Sequence, residues 1–308
     1  MSTSFKKATL TIGIPAFNEA ANIGYLLDDL KKQRVVSASV KKIIIVSDGS
    51  TDQTVNISRT HQTNKGVSLM VVQHKVRKGR AERQNEILKL AESDILVLLD
   101  ADVMLKKSNF IEQLIKPIIA KRAELTSAKI QEIEDKGLIN KVLLSSMQFK
   151  RTLFESVNKG DNLYTCHGRA RAFAKILYKQ IIFKDSVGED AYSYLFAVSC
   201  GFRYQFVKTA EVFYKLPATF SDHEKQSIRF FNTQKMFEKE FGKDFVNKEN
   251  YLSLLFIFKH FIGAVFKNPY LFIYVVIATY LKIKSFFNSN FANDWSISQS
   301  SKNVRGQI

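Results

Sequence analysis

Three features of the sequence predict an α/β fold built on a mostly parallel sheet with helices on both faces. Apolar runs of strand length alternate with segments of helical periodicity through the first hundred residues. Two of the runs, residues 42–46 and 94–99, are almost wholly apolar, as strands buried on both faces are. Each run ends in a polar cluster, and in such sheets ligands bind beyond the carboxyl ends of the strands.

The elements follow in order. Residues 8–14 (ATLTIGI) read as a short strand closed by Pro15. Asn18 and Glu19 then open a helix in which Ile23, Leu26, Leu27 and Leu30 repeat on one face. The strand at 42–46 (KIIIV) is bounded by Ser47–Asp52, and Ser50-Thr51-Asp52 can cap a helix running to about His61. A third strand fits Val67–Gln73, a helix fits Ala81–Ala91, and a fourth strand fits Asp94–Leu99. Further on, helices fit 109–121, 137–157 and 187–199, and strands fit 123–129 and 201–207. Beyond Asp222 the chain reads as helical and aromatic, and its character changes again at Tyr251.

Composition sets the outer limits. The 308 residues are 45% hydrophobic and 24% charged, which excludes a disordered or fibrous chain. Two cysteines, Cys166 and Cys200, make no disulfide framework, so a reducing compartment is expected. MSTSFKKATL holds no apolar run of signal-peptide length, and a cytoplasmic protein is expected unless a later segment anchors it. Lys and Arg number 46 against 29 Asp and Glu, for a formal net charge of +17. That surplus suits nucleic acid, anionic lipid or phosphorylated small molecules. No zinc spacing, RNP-type aromatic pattern or basic arm is present, so no nucleic-acid partner is expected.

Four polar clusters carry the candidate chemistry. Pro15-Ala-Phe-Asn18-Glu19 follows the first strand, where a loop and helix cap would look the same. Asp48-Gly49-Ser50-Thr51-Asp52 follows the second and is also ordinary turn chemistry. Arg77-Lys78-Gly79-Arg80 sets three cations around a glycine before a helix, which suits a diphosphate and equally a solvated loop. Asp100-Ala101-Asp102 follows a fully apolar strand. Aspartates two apart at a strand end project to one side and can share a hard cation such as Mg²⁺ or Mn²⁺.

Taken together and in this order, IPAFNEA, IIIVSDGSTDQT, KGRAERQNEIL and ILVLLDADV resemble the family 2 glycosyltransferases, which have the GT-A fold. GRARAFAKILYK (168–179) resembles the segment before the catalytic acid, VGEDAY (187–192) the E-D motif, and residues 200–231 the stretch ending in Q-x-x-R-W. The resemblance covers about residues 8–235. It implies a GT-A three-layer αβα sandwich and inverting transfer of a sugar from a nucleotide-diphosphate sugar. It implies that Pro15, Glu19 and Asp48 line the nucleotide pocket, with Asp48 accepting from the base, and that Lys78 approaches the diphosphate. Asp100 and Asp102 would hold Mg²⁺ or Mn²⁺, with His223 a further metal or diphosphate contact. Asp190 would be the general base. Glu189, Gln226, Arg229 and Phe230 would form the acceptor and diphosphate region, with Arg229 gripping phosphate. Phe230 stands where the family has Trp and lacks its indole donor. The Q-x-x-R-W pattern is commonest in membrane-linked processive members, but their multiple spans are missing, so single transfer is expected. A nucleotidyltransferase would need a Gly-rich phosphate loop, which IPAFNEA is not. A non-catalytic membrane or polyanion binder would have no use for Asp100, Asp102, Asp190 and Arg229 together.

The C-terminal region reads differently. Residues 251–266 (YLSLLFIFKHFIGAVF) place Ser253, His260 and Lys267 opposite Leu252, Leu255, Ile262 and Phe266, as an interfacial amphipathic helix would. Asn268-Pro269 breaks it. Residues 270–281 are uncharged, and extension to Phe287 approaches the roughly 20 residues a span requires. The expected division is a catalytic domain over 1–245 and a membrane-associating helical region over 246–308. Attachment to the cytoplasmic face of the membrane, peripheral, re-entrant or single-span, would give the positive surplus a use against anionic lipid. A glycan or lipid-linked acceptor would fit such a location.

Overall fold

The computed structural model describes residues 7–184, 188–231, 233–287 and 303–305. Strands β1 (Ala8–Ala16), β2 (Ala38–Ser47), β3 (Ser68–Gln73) and β4 (Ile95–Leu99) alternate with helices α1 (Ile23–Lys31), α2 (Thr54–Thr60) and α3 (Arg80–Leu90). These four strands pair in parallel in the order β3-β2-β1-β4. Period-two alternation sends neighbouring residues to opposite faces. Ile95, Val97 and Leu99 join the core under α1, while Leu96 and Leu98 join the core under α3. Ile43 and Ile45 part from Ile44 and Val46 in the same way, which is why these runs had to be apolar throughout. Gly13, in the middle of β1, has a packing reason: a Cβ there would lie 2.3 Å from Ile87 Cγ2, so the glycine lets α3 settle onto the sheet.

Pro15 does not close β1. The strand runs one residue further, with Pro15 opposite Val46. Pairing between β1 and β4 covers only Leu10–Gly13, so Pro15 costs the sheet no donor on that side.

The second half is less regular. It comprises β5 (Val103–Met104), α4 (Phe110–Ile119), β6 (Leu125–Ile133), α5 (Leu138–Ser156), β7 (Ala170–Ala174), α6 (Lys175–Tyr178), α7 (Glu189–Ser199) and β8 (Tyr204–Lys215). The complete order is β3-β2-β1-β4-β7-β6-β8-β5. β7 runs antiparallel to both of its neighbours, and β5 is antiparallel to β8. The expected strand at 201–207 is the first part of the longer β8, which follows β6 through a bulge after Ala128. Between Leu99 and Val103 an extended chain reaches about 14 Å. Four strand spacings in a flat sheet come to about 19 Å. The sheet therefore curls until β5 meets the end of β4, and the turn Asp100–Asp102 sits at that closure.

Helices α8 (Phe220–Phe231), α9 (Thr233–Phe241), α10 (Lys243–Glu249), α11 (Leu254–Lys267) and α12 (Tyr270–Phe287) complete the described chain. Composition changes near residue 245, yet packing crosses that line. Leu271 and Leu281 are buried, Lys150 Nζ donates to Tyr274 Oη (2.6 Å), and Lys284 pairs with Glu224 (2.6 Å). The segment 303–305 returns to the first helix. Val304 N–H donates to Asn22 Oδ1 (3.1 Å), and Arg305 pairs with Asp29 (2.5 Å). Among the described residues no helix is long and apolar enough to cross a membrane.

Candidate active site

The clusters after β1, β2 and β4 converge at one edge of the sheet. The first two are stitched together. Thr51 N–H donates to Asn18 Oδ1 (2.8 Å), Asn18 N–H to Ser50 Oγ (3.1 Å), and Ala20 N–H to Asp52 Oδ2 (3.0 Å). Asp52 Oδ1 also accepts from the N–H of Thr54 (3.0 Å), the first residue of α2, although the N-cap position itself is Gln53. Glu19 is buried; its carboxylate accepts from Asn22 Nδ2 (2.9 Å), and its N–H donates to Thr54 Oγ1 (2.7 Å). Two loops far apart in sequence thus form one rigid rim.

Asp48 holds the third cluster to this rim. Its carboxylate accepts from the N–H groups of Lys78 (2.8 Å) and Gly79 (2.9 Å) and from Arg83 Nε (2.7 Å), and the residue is 1% exposed. Both Asp48 oxygens are engaged and buried, so Asp48 shapes the Lys78–Gly79 loop, and its expected contact to a base belongs to the function proposed below. Gly49, at φ +75°, allows the close approach, since a Cβ there would sit 3.1 Å from the Arg77 nitrogen. The Lys78 side chain is exposed at the rim, and Arg77 lies 4.3 Å from the centre of the Phe17 ring.

The β4 turn meets the base candidates through Arg80. Its guanidinium pairs with Asp100, donates to the Gly168 carbonyl (2.9 Å), and lies 3.0 Å from Glu189 Oε1. Burial, opposed by Arg80, pushes the Asp100 carboxyl up to about 6. Asp102 is more open, its nearest cation being Arg169 at 3.7 Å. Arg169 in turn lies 3.6 Å from the centre of the Tyr214 ring. Asp190 stands in the first turn of α7; burial, reinforced by the charge of Glu189, raises its carboxyl above the ordinary range. Beneath that turn Arg171, 0% exposed, donates to the Glu189 carbonyl (2.8 Å) and to Ser193 Oγ.

A cleft of about 280 Å³ brings Arg80, Asp100, His167, Arg169, Asp190 and His223 together. Burial pushes the imidazoles of His167 and His223 down to about 4, so both are neutral at neutral pH. Among the described residues no third His, Cys, Asp or Glu joins Asp100 and Asp102 in a metal-sized cluster. His223 lines the same cleft as Asp100, faces Tyr274 with ring centres 6.1 Å apart, and has Ser227 Oγ at 3.4 Å. Gln226, Arg229 and Phe230 lie on α8, and their side chains fall outside the described residues. Arg80 and Arg171 went unassigned at the level of sequence. The cationic loop pointed to Arg80, whereas an arginine inside a five-residue strand gives no signal of its own.

Comparison with known proteins gives the family and the fold. Residues 11–182, more than half of the chain, match the model of glycosyl transferase family 2. The chain belongs to that family. No curated protein matches this family 2 transferase. Its structure resembles the mannosyltransferase PcManGT from Pyrobaculum calidifontis in complex with GDP-Man and Mn²⁺, at 17% identity and a TM-score of 0.66, covering 94% of this chain and 88% of that one. It also resembles residues 1–349 of S. aureus TarS in complex with UDP-GlcNAc, at 17% identity, TM-score 0.57 and coverage of 84% and 73%. A third likeness is to the glucosyl-3-phosphoglycerate synthase of Mycobacterium tuberculosis with Mn²⁺, UDP and phosphoglyceric acid, at 16% identity, TM-score 0.51 and coverage of 75% and 78%. The family 2 transferase thus has the GT-A fold, in which relatives hold a divalent metal with a nucleotide.

Proposed function

We propose that this family 2 glycosyltransferase moves one sugar, with inversion, from a nucleotide-diphosphate sugar to an acceptor at the cytoplasmic face of a membrane, using Mg²⁺ or Mn²⁺. The observation that carries this reading is the junction at Arg80, where one guanidinium ties the Asp100 turn to the α7 terminus that bears Asp190. The donor set fits the metal. Asp100 and Asp102 offer hard oxygens, and a site with only two protein carboxylates leaves positions for water and diphosphate oxygens. Bound there, the metal would neutralise charge growing on the leaving nucleoside diphosphate.

The remaining chemistry belongs to the chain. The stitched rim and the Lys78–Gly79 loop position the nucleotide. Asp190 takes the acceptor proton as the acceptor oxygen bonds to the anomeric carbon. The bond from that carbon to the diphosphate oxygen breaks, and its electron pair leaves with the diphosphate. A carboxyl raised by burial is the stronger proton acceptor, and the neutral His167 beside it adds no competing charge. Calorimetry of the full chain with GDP and with UDP tests this reading. One of the two should bind at least tenfold more tightly with Mn²⁺ present; affinity indifferent to the metal would overturn it.

Membrane attachment through the C-terminal helices belongs to the same proposal. α11 buries no residue, and Leu255 and Phe266 are 77% and 87% exposed. Monomeric soluble proteins rarely leave so continuous an apolar face uncovered. At about 25 cal/mol per Å², covering a few hundred Å² of it is worth several kcal/mol. Because α12 is packed against the rest of the protein, the test substitutes exposed residues and leaves the chain full-length. The double variant Leu255→Glu/Phe266→Glu should lose flotation with phosphatidylglycerol liposomes at an unchanged melting temperature. Flotation equal to that of the parent protein would place the attachment elsewhere.

A further inference from the structure

A second and larger cleft, of about 670 Å³, lies on the other side of the base candidate. Among the described residues, Asp190 and His167 alone line both cavities. The smaller cleft carries Arg80, Lys150 and Arg169 as well as Asp100, which is the chemistry of a diphosphate and its metal. The larger one has no lysine or arginine among its described lining residues. Its polar groups are the amides of Gln234, Asn247 and Asn250, and Tyr164 stands beside them with its hydroxyl donating to the Asn250 carbonyl (2.6 Å). Tyr164 is held rigid by stacking on Phe154, with ring centres 4.5 Å apart. Burial keeps Cys166 protonated, its thiol pushed up to about 12. Asp190 is the one carboxyl group among the described residues that line this cleft.

Resting on the reaction proposed above, we infer that this larger cleft is the acceptor subsite and that it takes a neutral sugar hydroxyl, not a phosphate. A phosphate brought here would meet the Asp190 carboxyl with no lysine or arginine among the described lining residues to pair with it, and two like charges in a partly buried site disfavour each other. Amide side chains both donate and accept, as sugar hydroxyls do, and rigid aromatic rings offer the flat apolar faces that sugar rings cover. Tyr251 and Leu252 line the cleft just before α11 begins at Leu254 with its exposed apolar face. A free glycan and the sugar head of a lipid-borne glycan present the same hydroxyl there.

The test uses the full chain with Mn²⁺ and, as donors, GDP-mannose, UDP-glucose and UDP-GlcNAc in turn. Acceptors are p-nitrophenyl glycosides in solution, dodecyl glycosides in phosphatidylcholine vesicles, and farnesyl phosphate in the same vesicles. Transfer to a glycoside is expected, and the vesicle and solution arms tell a lipid-borne from a free acceptor. Asn250→Leu should raise the glycoside KM at least tenfold while the donor KM moves less than twofold. Asn247→Ala, at an exposed position that folding tolerates, should raise it about threefold. Product on farnesyl phosphate alone, donor hydrolysis without any glycoside product, or an unchanged glycoside KM in both variants would each overturn the inference. Failure to turn over any donor would instead overturn the function on which it rests.

Discussion

Asp190→Asn should lower turnover by at least roughly 10²-fold, the low end for loss of a general base. The amide keeps the shape of the carboxyl and can still accept from the Ala191 N–H, which lies 2.8 Å from Asp190 Oδ1. It cannot take a proton. The N-terminus of α7 should stay in place, because Arg171 holds it through the Glu189 carbonyl, not through Asp190. Single-turnover rates with saturating donor measure the loss, and calorimetry with the nucleotide measures what is kept. A variant that turned over normally but bound nucleotide poorly would show that the proton goes elsewhere and that Asp190 belongs to the donor side.

Asp102→Asn should abolish metal-dependent transfer and weaken Mn²⁺ by more than tenfold, a loss above about 1.4 kcal/mol. Of the two aspartates in the turn, Asp102 is the one available to a cation: 26% of its side chain is exposed, and its nearest partner is 3.7 Å away. Asp100 already answers to Arg80. Removing the Asp102 charge should therefore leave the internal ion pairs and the melting temperature of the metal-free protein nearly unchanged. Full activity in this variant, with metal still required, would sink the assignment. Manganese titrations followed by water proton relaxation give the affinity without reference to catalysis.

The half of the fold built from local pattern was legible. The expected strands at 8–14, 42–46, 67–73 and 94–99 all coincide with β1 to β4, because each carries an apolar run of strand length bounded by polar residues, buried along its whole length in β4 and only half-buried in the edge strand β3. β7 was not legible. It is five residues long, is flanked by Arg169 and Lys175, and carries a buried arginine at its second position, so the hydrophobic pattern is broken inside the strand. Its place is set by β4 and β6, which lie far off in sequence. In the candidate site, the D-A-D turn was singled out by residue type and order and Asp190 through the family resemblance, and the structure brings Asp100 and Asp190 to one cleft. What Asp48 does could not be read that way, because a carboxylate aimed inward at Lys78 and Gly79 has the same letters around it as one aimed at a ligand. The second cleft was invisible for a related reason. Tyr164, Gln234 and Asn250 share no motif and meet only because α9 and α10 fold back over α7.

The backward insertion of β7 also bears on the order in which a growing chain gains its abilities. By Leu99 the strands β1 to β4 have all been made, and each pairs with a strand already present. The stitched rim needs nothing that is synthesised later. Asp100 is different: its N–H waits for the carbonyl of Arg169, and the base waits for Arg171 on the same strand. Closing so long a loop costs entropy that no nearby contact returns. On the function proposed above, a chain emerging from the ribosome completes the rim assigned to the nucleotide well before it places the groups assigned to the reaction. Competence to hold the donor and competence to spend it are separated in time by the length of chain between Leu99 and Asp190.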